Sequence, residues 1–198
     1  VTGSPALAGR LDPRLLAVHN ACELWDYSLS GKYDKDGVRL VAGHYSRRKP
    51  SSPQFMPPGE TIVTVAKTRD AVWGWWRPHP DSGLVAMNGR DGWTCSVFAN
   101  HGEILSSELV LDAERALAAL DAAKLTAGPC GPDGMLTYVW RSKVKSPNPG
   151  YCYKVAGWTK IGTCARGSKD LLWKPLELAG IAACGALRND RLRSEPRR

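Results

Sequence analysis

The chain has 198 residues, 43% of them apolar and 23% charged. That is enough to bury one core without disulfides or metal, and it excludes a disordered or fibrous protein. No apolar run approaches the roughly 20 residues that cross a bilayer. Val1 to Leu11 lacks the basic start and apolar block of a secretory leader, so a cytoplasmic protein with no membrane partner is expected. The net charge of +8 points to a polyanionic partner. Five arginines, one aspartate and one glutamate of that balance lie in residues 188–198, read as a basic tail, and about +5 stays with a single domain over residues 1–187. The six cysteines (Cys22, Cys95, Cys130, Cys152, Cys164, Cys184) form no CxxC pair. This argues against a zinc site or a disulfide framework and reads most of them as small buried hydrophobes.

Asp12-Pro13 suits the start of a helix, with Leu15, Val18, Cys22 and Trp25 at helical spacing. Gly31 to Gly37 is polar and turn-rich. His44-Tyr45-Ser46-Arg47-Arg48-Lys49 leads into a Pro-rich loop through Gly59. Thr61 to Lys67 and Ala71 to Arg77 read as a hairpin. Its second strand crowds Trp73, Trp75 and Trp76, with Trp73 and Trp75 on one face and Trp76 on the other. Core packing is the expected role of these rings, and stacking on an extruded base is the alternative. After a loop over Pro78 to Asp91, Trp93 to Phe98 is a strand and Ala99 to Ser107 a loop. Leu109, Ala113, Ala116, Leu117 and Leu120 then mark the clearest helix. Met135 to Trp140 is a strand, Asn148 to Ala156 a helix, and Trp158 to Thr163 with Asp170 to Trp173 a pair of closing strands. A short helix is expected from Pro175 to Leu187. The alternation implies an α/β domain, a mixed sheet flanked by helices.

In this order the second half resembles the GNAT acyltransferase fold. There a central strand passes through a phosphate-binding loop into a long helix, and a later helix ends in a Gly-aromatic pair, here Gly157-Trp158. A narrower set is similar to phage and prophage proteins of the Mom type, GNAT-like DNA-modification proteins that alter the exocyclic amine of adenine. That set is His44-Tyr45-Ser46-Arg47-Arg48, Cys95-Ser96-Val97-Phe98, Leu105-Ser106-Ser107-Glu108-Leu109 and the block from Asn148 to Trp158. The resemblance implies a GNAT-like mixed central sheet, an acyltransferase-type enzyme acting on double-stranded DNA inside a bacterial host cell, and an anti-restriction role. An N-acetyltransferase using acetyl-coenzyme A on a small amine or protein, and a DNA-binding domain without catalysis, stand beside it as alternatives.

The resemblance also assigns residues. His44, Tyr45 and Tyr151 become catalytic candidates, and the same three the ligands of an iron ion, although Trp140 stands where related sequences carry an Asp. Of Tyr151 and Tyr153, two apart on one helix, only one can reach a reacting centre, and the motif favours Tyr151. Asn100, Gly102, Ser106 and Ser107 would receive the pyrophosphate of an acyl-coenzyme A at a helix N-terminus. Ser106 and Ser107 fit an ordinary helix cap equally well, and the loop has one glycine where the family commonly shows Gly-x-Gly or Gly-x-Ala. Arg47, Arg48 and Lys49, with Arg141, Lys143 and Lys145, are candidate contacts to DNA phosphates.

Overall fold

The computed structural model describes residues 11–47, 49, 51–79 and 89–176. The expected helix over Pro175 to Leu187, the tail and Arg48 therefore lie outside the described residues, apart from Pro175 and Leu176. The elements are α1 (Pro13–Ala21), β1 (Trp25–Tyr27), α2 (Lys35–Leu40), β2 (Glu60–Ala66), β3 (Ala71–Arg77), β4 (Trp93–Asn100), α3 (Ser106–Ala122), β5 (Met135–Trp140), α4 (Tyr151–Val155), β6 (Thr159–Cys164) and β7 (Lys169–Lys174). Seven strands form one mixed sheet in the order β1-β2-β3-β4-β5-β7-β6. β4 and β5 run parallel, and every other pair is antiparallel. Among the described residues no helix is long and apolar enough to cross a membrane.

The Asp12 carboxylate caps α1 by accepting from the Arg14 N–H, as the Asp-Pro start implies. The helix ends before Trp25, which pairs with Ala66 in β1 instead. Trp25 still packs inward, donating from its indole to the Leu109 carbonyl of α3 at 2.9 Å. The turn-rich stretch near Gly31 holds a helix that polarity concealed. Asp34 accepts from the Gly37 N–H and opens α2, a helix whose buried face offers only Gly37 and Leu40. At the other end of the chain α4 starts later than Asn148, because Gly150 sits at φ +75°, outside helical space.

α1, α3 and α4 cover one face of the sheet over a core of Trp73, Trp75, Trp93, Leu117, Tyr153 and Trp158. α2 and the 51–59 loop cover the other face, with Leu40, Phe55 and Met56 against Val65, Val72 and Val97. Trp73 and Trp75 share a face and Trp76 lies on the opposite one. All three are buried, so none is presented for stacking on a base. Arg77 ties the β2–β3 hairpin to the loop ahead of β5. It bonds the Glu60 carboxylate at 2.6 Å and the carbonyls of Gly128 and Pro129, and its guanidinium lies over the Trp93 ring.

Candidate functional site

The parallel join between β4 and β5 is short. Only Trp93, Thr94 and Cys95 pair with Met135, Leu136 and Thr137. Beyond Cys95, β4 continues with β3, and beyond Thr137, β5 continues with β7. The two strands part there and leave an opening between them. The parting coincides with a bulge. Cys95 pairs with Trp75 and Val97 with Gly74, so Ser96 is an extra residue on β4. As a result Cys95 and Val97 face opposite sides of the sheet, and the buried Ser96 hydroxyl has no hydrogen-bond partner.

His44 and Tyr45 sit in this opening, although both come from a loop far away in sequence. Their rings stack at 4.4 Å. His44 lies beside the backbone of Phe98 on β4, while Tyr45 lies beside the backbone of Trp140 on β5 and meets the Trp140 ring edge-on at 6.3 Å. Each ring thus stands against one of the two strands that part at the splay. The Ser46 N–H donates to His44 Nδ1 at 3.2 Å, and the Ser46 hydroxyl lies 2.8 Å from the same atom. With Nδ1 accepting, the ring proton belongs on Nε2, the tautomer that donates to a carbonyl. Burial lowers the His44 pKa to about 4, so the imidazole is neutral through the physiological range.

Behind the pair lies a buried group of weak acids. The Tyr153 hydroxyl is 3.4 Å from the Cys95 sulfur. Burial pushes the Cys95 thiol up to about 12, and burial, with Cys95 and Cys152 nearby, holds the Tyr153 phenol well above its ordinary value. Both remain protonated, which makes Cys95 a poor nucleophile and Tyr153 a proton donor. Tyr151 is placed differently. It opens α4 with 59% of its surface exposed, and the ring that α4 turns toward Cys95, Phe98 and Trp73 belongs to Tyr153. The two-residue spacing had separated these tyrosines correctly and the motif chose the outer one. Ser46 and Tyr153 are the neighbours of the His44–Tyr45 pair that the sequence did not single out as site candidates, Tyr153 being read there as structural.

The proposed phosphate loop is largely closed on itself. The Asn100 amide donates to the Ile104 carbonyl at 2.8 Å and to the Ser106 hydroxyl at 3.1 Å, and its carbonyl accepts from the Gly102 N–H. A side chain on Gly102 would run into the Asp70 carboxylate. Three of the four candidate cofactor residues therefore spend their polar groups on the turn, beside a negative charge. What remains is the first turn of α3 near Ser106 and Ser107, where Leu105 supplies no side-chain cap. The side chains do not fit a pyrophosphate.

Iron fits no better. His44 has Nδ1 engaged by Ser46, Tyr45 is kept protonated by burial, and Tyr151 is on the outside. No group of three or more His, Cys, Asp or Glu side chains gathers for a metal among the described residues.

The basic candidates divide in the same way. Arg47 is committed to the Val38, Lys49 and Ser52 carbonyls and holds the His44 loop closed, so it is a latch rather than a free phosphate contact. Lys49, Lys143 and Lys145 are exposed, and Arg141 pairs with Asp170. Cys22 and Cys95 are buried, while Cys130, Cys152 and Cys164 are half-buried. An open groove of about 430 Å³, lined by Leu15, Leu16, Tyr27 and Arg69 among others, lies at the β1 edge, away from these groups. Comparison with known proteins finds no matching family model, curated protein or solved structure.

Proposed function

We propose that the chain is a GNAT-like transferase that modifies the exocyclic amine of adenine in DNA. The observation that carries this reading is the seating of a neutral His44 and of Tyr45 in the opening between β4 and β5. Support also comes from the order strand, loop, long helix, strand around that opening, and from the bulge at Ser96 beside it.

An aromatic amine is neutral and needs no base before it attacks. Bond formation to an electrophilic carbon makes its nitrogen cationic and strongly acidic, and even a weak base then takes the proton. Ser46 stands between His44 Nδ1 and the exterior, so the proton passes to the serine oxygen as the serine proton passes to Nδ1. Tyr45 and Tyr153 remain available as neutral donors toward the developing negative charge on the donor group.

Nucleosides from the DNA of cells expressing the protein, with its donor pathway present, should contain a modified deoxyadenosine by mass spectrometry. The product should disappear with His44→Ala. Unmodified DNA alongside a folded, abundant wild-type protein would refute the reading. Transfer to free amines without any need for DNA would favour the acetyltransferase alternative.

A further inference from the structure

The charge of the chain is concentrated in one stretch. Residues 135–174 hold eight lysines and arginines and one acid, Asp170, a net of +7 where the whole chain carries +8 and residues 1–134 come to −1. Asp170 is buried and already paired with Arg141 at 3.4 Å and Lys160 at 2.8 Å. None of the ion pairs among the described residues uses Lys143, Lys145, Arg166 or Lys169.

These cations adjoin the site. Lys169 stands opposite Trp140 in the β5–β7 register. Its ammonium is 5.0 Å from the centre of the Trp140 ring, and that of Lys143 is 5.7 Å away. The same ring meets Tyr45, so the basic surface begins where the opening ends. The β6–β7 hairpin extends it. Arg141 pins the hairpin turn, its N–H bonded to the Ser168 carbonyl and its guanidinium to that of Gly167. At the tip Ala165 and Arg166 both lie in the left-handed region, at φ +50° and +55°. Two consecutive side chains in that region are disfavoured, and strain of this kind persists where a segment is held for a purpose.

We propose that the 141–145 turn and the β6–β7 hairpin form one phosphate-binding surface, which tracks the backbone of double-stranded DNA and delivers it to the β4–β5 opening, with Arg166 as the outermost contact. The inference rests on the reading that DNA is the substrate. An anionic membrane is the other extended polyanion a basic surface meets, but stable anchoring there takes an apolar element beside the charge. Here α4 has five residues, and the exposed apolar side chains Tyr151, Val155 and Ile161 are divided between α4 and β6.

The test is duplex binding by the full chain, followed by fluorescence anisotropy of a labelled 20-base-pair DNA across a salt series. Replacing Lys143, Lys145, Arg166 and Lys169 together by Gln should make the slope of log affinity against log salt less negative by about 3 to 4, roughly one unit per lost phosphate contact. Lys35→Gln, on α2, should leave it unchanged. Arg166→Gly relieves the left-handed strain, so it should raise the melting temperature while weakening binding, a combination that a purely structural turn does not give.

Wild-type slope and affinity in the fourfold variant would overturn the surface, as would preferential binding of phosphatidylserine–phosphatidylcholine vesicles over duplex. The nucleoside measurement separates the two readings. Modified DNA with an unaffected fourfold variant removes this surface and keeps the enzyme, whereas variant-sensitive binding to DNA that is never modified keeps the surface and removes the enzyme.

Discussion

At the scale of single residues, the protonation of His44 has a measurable signature. The unfolded chain takes up a proton near the ordinary imidazole value of 6.5, which the folded chain refuses until about 4. Between these limits the unfolded state binds more protons, so stability declines as pH falls through that window and the effect levels off below it. Urea unfolding across pH 7 to 4 should show a smaller decline for His44→Gln than for wild type. The acid limb of the pH–activity profile should fall near 4 rather than 6.5. A second contrast concerns the two tyrosines. Tyr153→Phe removes the hydroxyl beside Cys95 and should cost about 0.5–1.5 kcal/mol of stability together with DNA modification. Tyr151→Phe, on the exposed side of α4, should leave both nearly unchanged. Chemical denaturation and nucleoside analysis of the two variants check this directly.

At the scale of elements, buried polar anchors hold the layers in place. Asp112 on α3 is 1% exposed, accepts from the Leu24 N–H at 2.8 Å and pairs with Arg115, joining the α1–β1 turn to the long helix. Asp112→Ala leaves a buried N–H unpaired and should cost about 2–3 kcal/mol, read as a lower urea midpoint with an unchanged slope. The elements themselves were largely legible in the sequence. The tryptophan-rich hairpin, the Leu109 to Leu120 stripe and the strand from Met135 to Trp140 carry periodicities that local physics determines. The helix at Lys35 was hidden because its apolar face is so small, and Asp34 as a cap was its only sign. The site was legible in part. His44 and Tyr45 stood out as polar and aromatic residues on a loop, away from any periodic face. Their seat against Phe98 and Trp140 was not, since a splay between parallel strands is set by register and leaves no local pattern. Arg47 was misread for a related reason: clustered cations look alike in sequence whether they face water or three carbonyls.

At the scale of the whole molecule, the His44 loop is held against α2 and residue 52 by the guanidinium of Arg47. Arg47→Ala frees the carbonyls of Val38 and Ser52 and should loosen residues 44–52, seen as faster amide exchange there. Modification should drop at least tenfold, since misplaced catalytic groups lose rate steeply, while the salt dependence of duplex binding stays as in wild type. The three residue pairs that join β4 to β5 have a wider consequence. They make the sheet two panels sharing a short weld, one of β1 to β4 and the other of β5, β7 and β6. Past the weld, the stacked rings of His44 and Tyr45 lie across the gap, one beside Phe98 of β4 and the other beside Trp140 of β5. In the proposed reaction a substrate meets these rings from the exterior through Ser46, so the same stacked pair that spans the parted panels is assigned the chemistry.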